Sequence, residues 1–201
     1  MLNTYFDKIF YINLDKDVDK NQHILSEFKK WNITNFEKIK GFTFKDIPDR
    51  IFWRNFNKYD EKYVLGSLGC RRSHLEAIRL SIERNYSKIL ILEDDIFFKE
   101  DPHELLVKQN LQDWDLLYFG GHIESQFRNQ IVGGYAYGIN ISLFEEILTM
   151  APASGMEIDN YYAKILQHMS YNYNQSGRYN IRMIEPFNTI DVNYNFTSNI
   201  R

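Results

Sequence analysis

The segment that most constrains the fold is "KILILEDDIFFK", residues 88–99. Four apolar residues run into Glu93, Asp94 and Asp95, and the chain then turns apolar again at once. A short unbroken apolar run reads as a strand buried on both faces, the kind found in the middle of a parallel sheet. In open α/β sheets, ligands gather outside the carboxyl ends of the strands, where these acids fall. A solvated turn needs no buried strand leading in and no "IFF" leading out, so the pattern points to a site. If the extended backbone continues, Glu93 and Asp95 share one side and Asp94 takes the other. Converging carboxylates repel unless a cation lies between them, either a Lys or Arg side chain or a hard divalent metal. Mg2+ or Mn2+ held by one or two carboxylates keeps positions for phosphate oxygens, which suits a nucleotide diphosphate.

The rest of the chain supplies matching elements. "KIFYINL", residues 8–14, is aromatic and β-branched enough for a buried strand, and acidic turn and helix-start residues follow it. Ile24, Phe28 and Trp31 then fall on one helical face. "FEKIKGF" reads as a second short strand, whereas residues 43–63 are aromatic, charged and aperiodic and read as a long loop. From Gly66 a helix is expected, with Leu75, Ile78 and Ile82 on one face and Asn85 helping to end it. Residues 116–119 and "IVGGYAYGINIS" read as further strands. Ser142 is a candidate N-cap for a helix over 143–150, with Glu145 completing a capping box. "MEIDNYYAKILQHM" reads as another helix, and residues 170–179 as Asn- and Tyr-rich turn sequence. Alternating strands and helices favour an α/β layered fold with a mostly parallel sheet.

A length of 201 residues suits one domain, burying roughly 70% of the surface of its unfolded form. The aromatic share is high at 16%, so rings have to fill core or line a pocket. A formal net charge of -3 gives no electrostatic case for nucleic acid. No stretch approaches the roughly 20 apolar residues of a membrane span, and the first residues lack a signal-peptide pattern. With one cysteine, Cys70, no internal disulfide forms, and a cytoplasmic location is expected, in a bacterium or a virus-infected host cell.

Three further groups carry chemistry. "LGCRRSH", residues 68–74, places glycine, small polar groups and two arginines at the expected helix start, where free N–H groups and Arg71 or Arg72 could meet phosphate. An ordinary glycine-led helix with exposed arginines fits the same residues. Cys70 and His74 are four apart and can share a helical face, although a lone cysteine reads first as a small buried hydrophobe. Asp159 lies at a helix start, as a partner of the helix dipole or as a general base for an acceptor hydroxyl.

Taken in order, "YINLD", "GSLGCRRSH", "ILILEDDIFF", "GGYAYGIN", the Asp of "MEIDNYY" and "TSNI" resemble segments of glycosyltransferase family 25. That family includes bacterial lipooligosaccharide galactosyltransferases and collagen hydroxylysine galactosyltransferases. The resemblance implies a GT-A-like single domain over residues 1–201, a Rossmann-type layered fold with a mostly parallel central sheet. It further implies metal-dependent transfer of galactose or glucose, with inversion, from a UDP-sugar to a hydroxyl of a glycan or protein acceptor. Glu93, Asp94 and Asp95 would be the counterpart of an Asp-x-Asp motif and hold Mn2+ or Mg2+, with Asp159 as the catalytic base. Asn13, Arg71, Ser73 and His74 would line the donor site, and Tyr137, Ser198 and Asn199 would contact substrate. Two positions depart from the family pattern: Lys20 stands where an arginine is common, and Asn199 replaces the acid of a late Ser-Asp-Ile. The acids alone fit equally a metal-dependent nucleotidyltransferase or phosphoesterase, or a non-catalytic nucleotide- or glycan-binding module.

Overall fold

The computed structural model describes residues 2–43, 61–109, 111–124, 130–167, 179–186 and 188–196. A short helix α1 (Leu2–Tyr5) leads into strand β1 (Lys8–Asn13), helix α2 (Val18–Lys30) and strand β2 (Phe36–Lys40). Helix α3 (Glu61–Glu83) precedes strand β3 (Lys88–Glu93), strand β4 (Ile96–Phe98), helix α4 (Pro102–Gln109) and strand β5 (Leu116–Tyr118). Strands β6 (His122–Glu124), β7 (Gln130–Val132) and β8 (Ala136–Asn140) follow, then helices α5 (Phe144–Ser154) and α6 (Ile158–Tyr161). A π-type turn over Tyr162–Gln167 and strands β9 (Ile181–Met183) and β10 (Ile190–Val192) complete the described elements.

One sheet organises the molecule, in the order β2-β1-β3-β8-β5-β9. β1 pairs parallel with both β2 and β3, and β5 pairs parallel with β9. β8 is antiparallel to β3 and to β5, so it is the reversed strand of a mostly parallel sheet. This bears out the layered α/β expectation.

Alternation along the strands separates two cores. Phe10, Ile89, Ile91, Tyr137 and Ile139 face one side, where Ala77 and Ile78 of α3, Phe144 and Ile147 of α5 and Ile158 of α6 cover them. Ile9, Tyr11, Leu90, Leu92 and Ala136 face the other, against Leu2, Ile24, Phe28, Leu105 and Leu106 from α1, α2 and α4. Ile24 and Phe28 of the predicted amphipathic face are buried, and Trp31 closes α2 as its C-cap. No helix among the described residues is long and apolar enough to cross a membrane.

Several expectations are corrected. α3 starts at Glu61, so "LGCRRSH" lies inside a helix and its N–H groups are engaged by the preceding turn. Glycine there serves a close approach: a Cβ on Gly69 would stand 2.4 Å from the Phe42 carbonyl oxygen. "IVGGYAYGINIS" is two strands, broken where Gly133 takes a φ of +115°. Ser142 caps no α-helix; a 3-10 turn covers Ile141–Leu143, and α5 starts at Phe144 with no side-chain cap bond, so the Glu145 capping box is absent. The Ser142 hydroxyl instead donates to Asp115. "MEIDNYYAKILQ" forms the short α6 and the π-type turn rather than one long helix. Asn85 does end α3, at a φ of +58°. Most of the loop expected over 43–63 and of the turn expected over 170–179 lies outside the described residues, as do Ser198 and Asn199.

Candidate active site

The carboxyl ends of β1 and β3 lie side by side, and reversed β8 starts at the same edge, with the Glu93 N–H donating to the Tyr135 carbonyl at 2.8 Å. Strand β3 ends at Glu93, and Asp94 and Asp95 form the turn into β4. Glu93 stays close enough to Asp95 for its charge to bear on it, and the turn also brings together Asp94 and Asp95. Both are buried, and the cation between them is Lys20, from the first turn of α2. Its Nζ lies 2.8 Å from Asp95 Oδ2 and 3.6 Å from Asp94 Oδ1. Asn13, the last residue of β1, donates from Nδ2 to Asp94 Oδ2 at 2.7 Å and to the Asp17 carbonyl at 3.1 Å. The main chain of Asp95 accepts from the Asn193 N–H at 2.6 Å, which ties the turn to the segment after β10.

Burial sets the electrostatics. It pushes the Asp94 carboxyl up to about 6, against the Asn13 hydrogen bond and the Lys20 charge, which pull it down. Burial also raises Asp95, as does the nearby Glu93 charge, while Lys20 opposes both. For Lys20 burial is the largest influence and works against the ammonium, but Asp95, Asp94 and Asp17 together hold its pKa above the ordinary lysine value. Asp95 Oδ1 and Asn13 Oδ1 are buried with no hydrogen-bond partner among the described residues.

On the α3 side, Glu93 is about one-third exposed and its Oε1 lies 3.6 Å from Nε2 of fully buried His74. His74 Nδ1 is 2.5 Å from the Tyr137 hydroxyl, which also accepts from Tyr162 at 3.3 Å. Tyr137, fully buried in β8, therefore orients His74. Gly134 leaves a gap beside this pair: a Cβ there would stand 3.7 Å from Asp159 Cβ and 3.9 Å from His74 Cε1. Asp159, in the first turn of α6, has its pKa raised by burial and by Glu157 and Glu93, while the Asn160 N–H at 2.8 Å lowers it.

The structure thus gathers Asn13, Glu93, Asp94, Asp95, His74, Tyr137 and Asp159 at one edge of the sheet. Ser73 and Arg71 are engaged elsewhere. Ser73 Oγ accepts from the Phe42 N–H and donates to the Gly69 carbonyl, both at 2.8 Å. Arg71 is buried and donates to the carbonyls of Ala151 and Met156, tying α3 to the end of α5. Sequence reasoning left the cation unassigned between Lys, Arg and metal. The signal for Lys20 was its place, a cationic side chain in the first turn of the helix after β1, adjacent to the strand that carries the acids.

Residues 6–136 match the family described as glycosyltransferase family 25 (LPS biosynthesis protein). Procollagen galactosyltransferase 2 of Homo sapiens is 26% identical over 138 residues, covering 57% of this chain and 21% of the relative. A glycosyltransferase 25 family member of Aedes aegypti is 27% identical over 151 residues, covering 64% of this chain and 25% of the relative. The chain therefore matches only about a fifth to a quarter of the length of these relatives. A crystal structure of a glycosyltransferase involved in glycosylation of the major capsid of PBCV-1 aligns over 87% of this chain and 79% of its own, with a TM-score of 0.47 and 11% identity. The matched span includes both "GCRRSH" and the acidic turn, and the chain belongs to glycosyltransferase family 25.

Proposed function

We propose that this protein is a glycosyltransferase that moves a hexose, galactose or glucose, from a UDP-sugar to a hydroxyl of a glycan or protein, with inversion at the anomeric carbon. The observation that carries the reading is the acidic end of β3, whose Glu93 charge reaches the buried Asp159, within a chain of this family. A divalent cation, Mn2+ or Mg2+, fits the turn. Asp95 Oδ1 is a buried carboxylate oxygen with no partner among the described residues, and Glu93 presents a second, partly exposed carboxylate. When bound, such an ion offsets charge that builds on the departing UDP.

The chain's own residues divide the remaining work. Asn13 holds Asp94 by its side-chain hydrogen bond, and the end of β1 would meet the donor. Lys20 fixes Asp95 through Oδ2, leaving Oδ1 without a partner among the described residues. Asp159, ionised, takes the proton of the acceptor hydroxyl as the new C–O bond forms and the bond from the anomeric carbon to the UDP oxygen breaks. A carboxyl whose pKa burial has raised is a stronger base than an exposed one, which suits that role. His74, held by Tyr137, stands near both Glu93 and Asp159 and would line the donor site.

Asp95→Asn tests this directly. The amide keeps the shape of the side chain but removes the charge, so UDP-sugar turnover should fall by about a hundredfold or more and lose its response to Mn2+. Unchanged turnover with unchanged metal dependence would sink the mechanism.

A further inference from the structure

Cys70 has no part in the proposed sugar transfer, yet it stands with His74 and Glu93 in one group of side chains beside the acidic turn. Cys70 and His74 lie one turn apart on the same face of α3, and that face looks at Glu93. A thiol sulfur, a ring nitrogen and a carboxylate oxygen from these residues all lie within 4.8 Å of one another. His74 Nε2 is fully buried, points at Glu93 and has no hydrogen-bond partner among the described residues. A buried ring nitrogen normally finds a partner, so this one is aimed at something the described residues do not supply.

We propose that Cys70, His74 and Glu93 form a separate site for a borderline-soft divalent cation, Zn2+. The donor set is thiolate, imidazole and carboxylate, which suits zinc and not the hard ions Mg2+ or Mn2+. Tetrahedral zinc with its usual bond lengths spaces ligand atoms about 3.3–3.8 Å apart. The 3.6 Å from His74 Nε2 to Glu93 Oε1 already matches such an edge, and closing the cluster takes roughly 1 Å of adjustment at Cys70. The ring is held from behind as metal-bound histidines are: in the tautomer that donates from Nδ1 to the Tyr137 hydroxyl, Nε2 presents its lone pair to the cluster. A thiolate and a carboxylate balance the dication, and three protein ligands leave a fourth position at the partly exposed Glu93 side. Because Glu93 borders both sites, zinc held here draws it away from the acidic turn. The site does not depend on the chain being a sugar transferase.

Zinc titration by calorimetry, together with the absorption spectrum of the Co2+-loaded protein, tests it. One Zn2+ per chain should bind, and the cobalt form should show a thiolate-to-metal charge-transfer band. Cys70→Ser, nearly isosteric and checked for folding by circular dichroism, should abolish the band and weaken zinc binding by more than about tenfold, the least that even outer-shell changes produce. Tyr137→Phe should keep the band and weaken binding, and Asp95→Asn should leave both in place. Absence of the band in the unaltered protein, its survival in Cys70→Ser, or zinc binding lost in Asp95→Asn but kept in Cys70→Ser would overturn the proposal.

Discussion

Lys20 is the residue on which the acidic turn rests, since its ammonium is what lets Asp94 and Asp95 share a buried corner. Lys20→Met keeps most of the side-chain volume and removes the charge, leaving two buried carboxylates uncompensated. The expected loss is about 3–5 kcal/mol of stability at neutral pH. The pH dependence follows from the direction of the carboxyl shifts. Asp94 in the folded protein titrates near 6, above its unfolded value of 3.8, so the folded state takes up the proton first. The penalty of its ionised form is full above that window and fades as the pH falls through it. Without Lys20 both carboxyls rise further, so the damage should shrink at pH 5. Urea unfolding of both proteins at pH 7 and pH 5 checks this, and equal destabilisation at the two values would contradict it. Sequence reading placed the three acids at a strand end correctly and set Glu93 near Asp95, but by assuming extended backbone it put Asp94 on the other side, away from the Asp95 with which it shares Lys20. The chain turns immediately after Glu93, and nothing in three consecutive acids marks where a strand stops.

Among the elements, α3 shows most plainly what motif reading could and could not reach. "GCRRSH" is a docking surface inside a long helix: Gly69 admits the Phe42 carbonyl, Ser73 accepts the Phe42 N–H, and the Arg72 guanidinium lies 4.7 Å from the Phe42 ring centre. The glycine looked like a helix start because glycine is a poor helix former, and only the tertiary contact explains it in mid-helix. Gly69→Ala should therefore destabilise by about 1–3 kcal/mol, because the methyl overpacks against backbone. That outweighs the gain of about 1 kcal/mol in helix propensity. A stabilised Gly69→Ala protein in thermal unfolding would show that the 41–43 segment does not hold its place on α3. The strands were more legible than the helices: β1, β3 and β5 carry unbroken apolar runs, whereas α6 and the π-type turn share one helical-looking pattern that the backbone divides.

For the whole molecule, the central sheet is what brings distant parts of the chain to one edge, since Asn13, Glu93 and the start of β8 meet through pairing between β1, β3 and β8. Sequence order hides that β8 runs backwards beside β3, so Tyr137 could be named as a candidate but not placed. A ligand bound at such an edge stabilises the folded chain by mass action. At a concentration about a hundredfold above its dissociation constant the gain is about 2.7 kcal/mol, or roughly 5–10 °C in melting temperature at this length. A thermal-shift screen of UDP-, GDP- and CDP-sugars should give that shift for a UDP-sugar, larger with Mn2+ than without. No shift with any UDP-sugar, alongside a shift with a nucleoside triphosphate, would move the protein to another class of nucleotide enzyme. The lysine between the two aspartates carries one more consequence, for the order in which this protein is made ready. A turn whose counter-charge is built into the chain does not wait for an ion in order to fold. Stripping the protein with a chelator should silence it while leaving it standing, and returning the metal should restore it without a refolding step.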